Sequence, residues 1–301
     1  MSSPQRTEEQ RQAPGRIRAN DGRANDGRAD WPPLPARRVR RPNTWLAPGL
    51  AISRGPRWAL RAASLVVPFL VWVALSWTGA VDPTFLPSPR ATVAAFADMA
   101  RSGELLTDTL ASVRRVLYGF GIALAISVPV GFAMGTWGWA LAALEPIIGL
   151  VRYWPASAFI PLLIIWLGLG EPSKLAVLVL GVVFFNTLMV ADAVRQVPRR
   201  LLEASMTLGA TPAVLVRKVM LPYALPGIID AARVNAAAAW NFVVIAELFA
   251  ATSGLGYRIV RSQRFLLTDR IFAVLIVIGL IGIAMDVLLR LFRDRVGRWA
   301  A

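Results

Sequence analysis

Long hydrophobic runs alternate with charged or proline-broken stretches along most of this chain. The runs cover residues 60–78, 112–134, 144–167, 175–194, 228–250 and 271–292. Each has close to the roughly 20 residues that a helix needs to cross about 30 Å of hydrocarbon. The pattern therefore predicts an all-α integral membrane protein with about six transmembrane helices.

One polar segment, residues 195–226, lies between the fourth and fifth runs and includes EASMTLGATPAVLVRKVMLP. Its pattern predicts a helix over residues 199–208, which Gly209 closes in the left-handed conformation. Thr211 is expected to cap a second helix that has Pro212 in its first turn.

Two further prolines end this polar segment. Pro222 is expected to stop the second helix near residue 220, because proline lacks the N–H that a helix needs, and Pro226 to start the fifth span. The result would be a stiff helix–bend–helix element between two membrane crossings. It is either a docking element for a partner protein or an ordinary amphipathic connector.

The first 57 residues differ in composition from the rest. They are rich in Arg, Pro, Gly, Asp and Asn and contain the repeat RANDGRANDGRAD. Such a segment cannot bury enough apolar surface to offset the entropy lost on ordering. We therefore expect a disordered basic cytoplasmic tail over 1–57 and a transmembrane domain over 58–301.

The chain has a formal net charge of +15, and the positions of the basic residues indicate what they interact with. Basic residues concentrate in the first 61 positions and beside the hydrophobic runs, which favours a lipid bilayer and not nucleic acid as the partner. By the positive-inside rule, six crossings then place both termini in the cytoplasm. One loop departs from the rule, because it puts Arg258, Arg261 and Arg264 outside.

The chain contains no Cys and no His. This excludes disulfides, His/Cys metal sites and Ser-His or Cys-His catalysis, so neither an enzyme nor a metal site is expected. The two lysines, Lys174 and Lys218, both lie outside any G-x-x-x-x-G-K-[ST] phosphate-binding loop.

The polar segment resembles the cytoplasmic EAA loop of ABC-importer permeases, with Ser205 in place of the third Ala. The matching or adjoining residues are Glu203, Ala204, Gly209, Ala210, Leu221, Pro222 and Pro226. Four further stretches resemble the nitrate, sulfonate and taurine subfamily. They are LPSP at 86–89, SVRRVLYGFGIAL at 112–124, PLLIIWLGLGEPSK at 161–174 and GLGY at 254–257.

The resemblance implies a MetI-like permease core in a bacterial cytoplasmic membrane. It implies a permease subunit that imports a small anionic solute such as a sulfonate, taurine or nitrate. The implied partners are separate ABC ATPase subunits that dock on the EAA loop and bind ATP and Mg, an extracytoplasmic solute-binding protein, and a second permease copy. No cofactor is expected in this chain.

A secondary transporter driven by an ion gradient is the alternative. Transporters of that class often have inverted repeats and ion-coordinating groups at the bilayer midplane. The two halves of the hydrophobic region show no clear repeat and few midplane carboxylates.

Polar and helix-breaking residues inside the spans are candidates for the translocation path or gate. They are Arg152, Trp154, Pro155, Pro161, Trp240, Asn241 and Glu247. Arg152 is either an interface residue or an anion contact, and Glu247 either lines the path or joins helices. Arg258, Arg261 and Arg264 either meet a binding protein or an anionic substrate, or belong to a loop packed on the dimer.

Overall fold

The computed structural model describes residues 54–296, which form helices joined by short turns and loops. The helices are α1 (Arg54–Trp77), α2 (Pro89–Arg101), α3 (Glu104–Thr136), α4 (Gly138–Val151), α5 (Ile160–Leu167), α6 (Glu171–Arg195), α7 (Arg199–Thr207), α8 (Pro212–Val214), α9 (Leu221–Ala250), α10 (Leu255–Arg264) and α11 (Thr268–Val296). A 3₁₀ turn, Ala156–Phe159, precedes α5, and a π-helical turn, Leu215–Met220, joins α8 to α9. The expected disordered tail lies outside the described residues except for 54–57, which begin α1.

Apart from the third, the hydrophobic runs predicted as spans fall inside helices to within one residue. Within residues 54–296, five helical segments are long and apolar enough to cross a membrane. The third run is divided between α4 and α5, which are bent by 79° at the break between them. This confirms an all-α membrane protein, and the bent pair decides whether the spans number five or six.

Helices α3 and α6 pack closely along their length because α3 presents glycines to α6. A Cβ added at Gly119 would lie 3.0 Å from the Leu178 side chain, and one added at Gly131 would meet the Thr187 carbonyl oxygen. Near the other end of α3, Gly135 lies against Val194. The contacts advance along both helices together, so α3 and α6 are parallel.

This parallel arrangement identifies α4 and α5 as one broken span. Both α3 and α6 start at the same side of the membrane, where Arg115 of α3 bonds to Glu171, the first residue of α6. The chain leaves α3 at the far side and must return across the membrane before α6 begins. The bent pair is the segment that makes this crossing, which gives the six predicted spans.

The core lies between α3, α6, α9 and α11. Its largest cluster includes Val116, Leu178, Trp240, Leu255 and Val274, all at most 5% exposed. Lipid tails are as apolar as these side chains, so the close van der Waals packing between helices is what stabilises the cluster. The amide of Asn235 adds a polar bond between α9 and α6, because it donates to the Asn186 side-chain oxygen at 3.1 Å.

Helix α11 runs antiparallel to α9. Near its start, Phe272 stacks on Trp72 of α1 with ring centroids 5.7 Å apart. Near its end, Asp286 accepts a hydrogen bond from Arg233, which is in the first half of α9, at 2.6 Å. The C-terminal end of α11 therefore lies on the same side as the start of α9 and the polar segment that precedes it.

The prediction that Pro222 stops a helix is wrong. The chain continues from α8 through the π-helical turn into α9, with Pro222 in the first turn of α9 and Pro226 inside it. Proline disrupts a regular α-helix through its missing N–H and its clash with the carbonyl four residues earlier. The π-helical turn just before α9 changes that spacing at Pro222, so the helix continues through this proline.

Candidate coupling and translocation sites

Residues 198–220 form a bent element that we call the bracket: α7, a tight link, α8 and the π-helical turn. Gly209 has φ +85°, as predicted for the residue that closes α7. The Ala210 N–H donates to the Ser205 carbonyl at 3.0 Å, and the Gly209 N–H donates to the Met206 carbonyl at 2.9 Å. These two bonds are the Schellman pattern that ends a helix at a left-handed residue, so the link has a defined geometry.

The second arm of the bracket begins as the sequence predicts. Thr211 has an extended backbone, and its hydroxyl accepts from the Val214 N–H at 3.4 Å. Its carbonyl accepts from the Leu215 N–H at 2.9 Å. Both arms therefore have capped ends, which limits the freedom of the bend between them.

The bracket is exposed at its tip and anchored at its base. Neither α7 nor α8 buries any residue, and Leu208 at the bend is 89% exposed. At the base, Leu202 and Val216 pack against a buried cluster that includes Val197 and Met220. Glu203 and Ala204 of the EAA-like sequence lie on the exposed part. A rigid element that presents an apolar tip to solvent is suited to contact another protein.

A buried ion network lies at the side of the bundle away from the bracket, at the start of α6 and near the end of α9. The guanidinium of Arg115 donates to Glu247 at 2.6 Å and to both carboxylate oxygens of Glu171 at 2.7 and 2.8 Å. The Ser112 hydroxyl lies 2.8 and 2.9 Å from the two Glu247 oxygens. Arg115, Ser112 and Glu247 are at most 3% exposed. The network therefore joins α3, α6 and α9 through charge-assisted hydrogen bonds.

The network also holds the loop that follows α9. The Gly256 N–H donates to Glu247 at 2.9 Å, and the Leu255 N–H donates to the Ser112 hydroxyl at 2.8 Å. Gly254 has φ +120°, and a Cβ there would overlap the Glu247 carboxyl group. Glycine is therefore required at position 254 both for its backbone conformation and for the close approach.

Glu247 is thus placed among its partners in the interior, as expected for a residue that joins helices. Arg115, Ser112, Glu171 and Asp108 were missed as a site by sequence reasoning. Three of the four belong to or adjoin stretches 112–124, 161–174 and 254–257, which meet in this network. The stretches that resemble the permease subfamily contain these three residues, so the resemblance was a signal for them. Which residue pairs with which was not predictable, because the contacts join residues more than 130 positions apart, such as Arg115 and Glu247.

Arg258, which was predicted to lie on the outer surface, is buried in the structure. It is 5% exposed, and its guanidinium lies 2.6 Å from Asp108 and 2.8 Å from Glu104. Burial opposes its charge, but hydrogen bonds and charge attraction from these two carboxylates outweigh it and raise the pKa of Arg258 above its usual range. A buried, paired arginine is not available to a binding protein or substrate, so the outer-contact hypothesis is wrong for this residue.

Arg261 and Arg264 keep the accessibility that the hypothesis requires. Both are exposed, and Arg261 approaches Glu104 only at 4.0 Å. These two residues stay predicted contacts of an extracytoplasmic partner. Such exposed pairs contribute little to stability because water and salt screen them.

Five of the seven predicted path residues line one of two cavities. Arg152, Trp154 and Pro155 line a cavity of about 260 Å³ at the break between α4 and α5. Trp240 and Asn241 line a different cavity, of about 270 Å³, between α9 and α11. Pro161 lies in the first turn of α5 and lines neither, and Glu247 belongs to the ion network.

Residues 54–296 contain no group of three or more carboxylates placed to hold a metal ion. Lys174 is buried, with 6% of its surface exposed, and its ammonium group forms an ion pair with Glu171 at 3.2 Å.

Comparison with known proteins agrees with this architecture. Residues 121–298 match the family described as binding-protein-dependent transport system inner membrane component. A Brucella melitensis protein described as a probable ABC transporter permease is 37% identical over 240 residues, covering 80% of this chain and 96% of that protein. The taurine transport system permease protein TauC of Escherichia coli is 32% identical over 245 residues, covering 80% and 89% respectively.

The fold likewise resembles a solved importer. A chain of the inward-facing MetNI methionine ABC transporter superposes with a TM-score of 0.58 and 21% identity, over 65% of this chain and 98% of that chain. At this identity the likeness shows the fold, which confirms the MetI-like permease core. These relatives favour the importer interpretation over a gradient-driven transporter. The chain belongs to the binding-protein-dependent transport system inner membrane component family of ABC importers, in which it is a transport permease and not an enzyme.

Proposed function

We propose that this permease is driven by a separate ABC ATPase subunit that docks on the bracket. The observation that carries the proposal is the combination of a rigid bend, an exposed tip and an anchored base. Leu208 and Met206 are 89% and 52% exposed, an unusual position for large apolar side chains at the end of a polar helix. An ATPase that covers this tip could push on α6 and α9 through Leu202 and Val216.

ATP and Mg would be bound by that partner. The sequence contains no phosphate-binding loop, and Lys174 already pairs with Glu171. Division of labour between a membrane subunit and an ATPase subunit is consistent with both facts. An extracytoplasmic binding protein would deliver the solute to the permease. The exposed Arg261 and Arg264 would be its contacts.

We also propose that two copies of the permease enclose the path. The cavity at the α4–α5 break is open on one side, where Tyr153 and Trp154 are 74% and 52% exposed. Nearby on α5, Trp166 is 65% exposed. A second copy placed on this face would close the cavity and bury these aromatic rings.

The proposed orientation puts the bracket in the cytoplasm, together with both chain termini. The C-terminal end of α11 lies on the bracket side and carries Arg290 and Arg293, which suits the positive-inside rule. The basic segment 1–57 would be a cytoplasmic tail. The transported solute would be a small anion of the sulfonate type, supported by the similarity to a taurine permease.

The proposal is tested by co-purification with a taurine-type ATPase subunit expressed alongside the permease. Gly209→Trp is the test variant and Gly103→Trp its matched control. Both glycines have positive φ, +85° and +75°, and a Cβ added at either would meet open space, but Gly103 lies outside the bracket at the start of α3. We expect the wild type and Gly103→Trp to retain the ATPase and Gly209→Trp to lose it. Equal retention by both variants would contradict docking on the bracket.

A further inference from the structure

Arg152 differs from the paired arginines of the membrane region. Its Nε atom is buried and has no hydrogen-bond partner among residues 54–296. Within the same residues, its one side-chain hydrogen bond runs from Nη2 to the hydroxyl of Tyr153 at 3.0 Å, and no carboxylate forms an ion pair with it. Arg115 and Arg258, by contrast, each contact two carboxylates.

An arginine without a counter-ion is costly within a membrane. A charge at the centre of a spanning helix costs roughly 2.5–3.5 kcal/mol on insertion scales, so such residues generally find an acceptor or water. The guanidinium of Arg152 lies 4.9 Å from the centre of the Tyr153 ring, which orients it without neutralising it. Its buried Nε therefore has a donor hydrogen in need of an acceptor.

The surrounding cavity fits a small anion that has an apolar body. It has a volume of about 260 Å³, and its described lining contains no acidic residue. Phe184, Phe185 and Phe242 supply apolar wall, while Ser157 adds a hydroxyl group. A lining that combines a cationic donor, a hydroxyl group and aromatic rings suits an oxyanion carried on a short hydrocarbon chain.

The break in the span forms this site. Helices α4 and α5 meet at 79°, and residues 152–155 leave the helical path between them. Irregular backbone at membrane depth is tolerated where it borders protein or a water-filled cavity. At this bend, Arg152 and Ser157 line one cavity together with Phe184 of α6 and Phe242 of α9.

We infer that the α4–α5 break is an anion-binding site, with the Arg152 guanidinium as the contact for the sulfonate-type group of the transported solute. This inference rests on the proposed import function and adds the residue that recognises the charge. A phospholipid phosphate presents the same chemistry, so the test must distinguish solute from lipid.

The test uses the full importer, with ATPase and binding protein, reconstituted in phospholipid vesicles and supplied with ethanesulfonate. Arg152→Gln should lower kcat/KM for uptake by about 10- to 100-fold, because it removes a charged hydrogen-bond donor. Arg152→Lys should restore part of the loss, since it keeps the charge without the planar fork. Arg114→Gln, at an exposed position in α3, is the matched control and should leave uptake unchanged.

The outcomes separate the two proposals. If the wild-type importer takes up no sulfonate, the proposed solute class is wrong, and the inference, which names that class as the ligand of Arg152, is overturned with it. If the wild type transports and Arg152→Gln, still assembled with the ATPase, has an unchanged kcat/KM, the anion site is overturned. If Arg152→Gln instead lowers the phosphorus bound per purified protein and not the uptake, the occupant is lipid, which also overturns the inference.

Discussion

The two ends of this permease are built in opposite ways. At the network end, Glu247 and Arg115 are 1% and 3% exposed and pair with each other. At the bracket end, α7 and α8 bury none of their residues, and Leu208 is 89% exposed. Polar groups that satisfy each other inside the protein hold helices together, whereas the exposed apolar tip is the feature on which we base the proposed docking of a partner. The comparison therefore distinguishes the network, which stabilises the fold, from the bracket, which we propose as the docking surface.

Two helices connect these ends. Helix α6 starts at Glu171 of the network and ends at the base of the bracket, and α9 starts above the bracket and carries Glu247. A displacement of the bracket would therefore be transmitted to the network through both α6 and α9. The cavity at the α4–α5 break borders both helices through Gly181 and Phe242.

The largest expected effect comes from breaking the network. Glu247→Leu removes one partner of a buried ion pair and leaves Arg115 with a single carboxylate, which should cost about 3–5 kcal/mol of unfolding free energy. Thermal unfolding of the purified permease would measure the loss. The double variant Arg115→Leu/Glu247→Leu should be less destabilised than the sum of the two single variants, and full additivity would contradict a direct interaction.

A smaller effect is expected where the connecting helices touch. Gly131→Ala places a methyl group against the Thr187 carbonyl and Val190, an overpacking that should cost about 1–3 kcal/mol. Gly121→Ala, elsewhere on α3 in open space, should be neutral or stabilising by up to about 1 kcal/mol through helix propensity. Thermal unfolding of both variants checks the sign, and equal shifts would contradict close packing of α3 on α6.

The smallest effect on stability is expected at the bracket, where the functional effect should be large. Glu203 is exposed, so Glu203→Gln should change the unfolding free energy by less than about 0.5 kcal/mol. We expect solute-stimulated ATP hydrolysis by the assembled importer to fall nonetheless. Glu145→Gln, at an exposed position in α4, is the control and should leave hydrolysis unchanged. A Glu203→Gln variant with wild-type hydrolysis would show that this carboxylate takes no part in coupling.

Local features of the fold were predictable from the sequence. The hydrophobic runs located the spans, and Gly209 and Thr211 were correctly assigned because helix caps depend on a few neighbouring residues. Pro222 was wrongly assigned as a stop, since the π-helical turn that accommodates it has no recognised sequence pattern. Pro155 and Pro161 were named as helix-breaking residues of the third span, but the 79° bend there was not predicted.

Long-range pairing was not predictable. Arg258 looked like an outer-surface cation because nothing near it in sequence supplies a carboxylate, yet Asp108 pairs with it from 150 positions away. Arg115 lies inside the predicted span 112–134, but nothing near it in sequence indicated that it pairs with Glu247. Arg152, by contrast, was named as either an interface residue or an anion contact, because a charged residue inside a predicted span is costly whatever its neighbours in the fold.

The most direct test of the bracket as a docking element is site-specific photo-crosslinking. A photoreactive amino acid would replace Leu208 at the bracket tip or, as a control, Leu266 in the α10–α11 connection, which is 65% exposed. The permease would be co-expressed with a taurine-type ATPase subunit. We expect illumination to join the ATPase to position 208 and not to position 266. Crosslinking at 266 alone, or at neither position in a complex that still co-purifies, would contradict docking on the bracket.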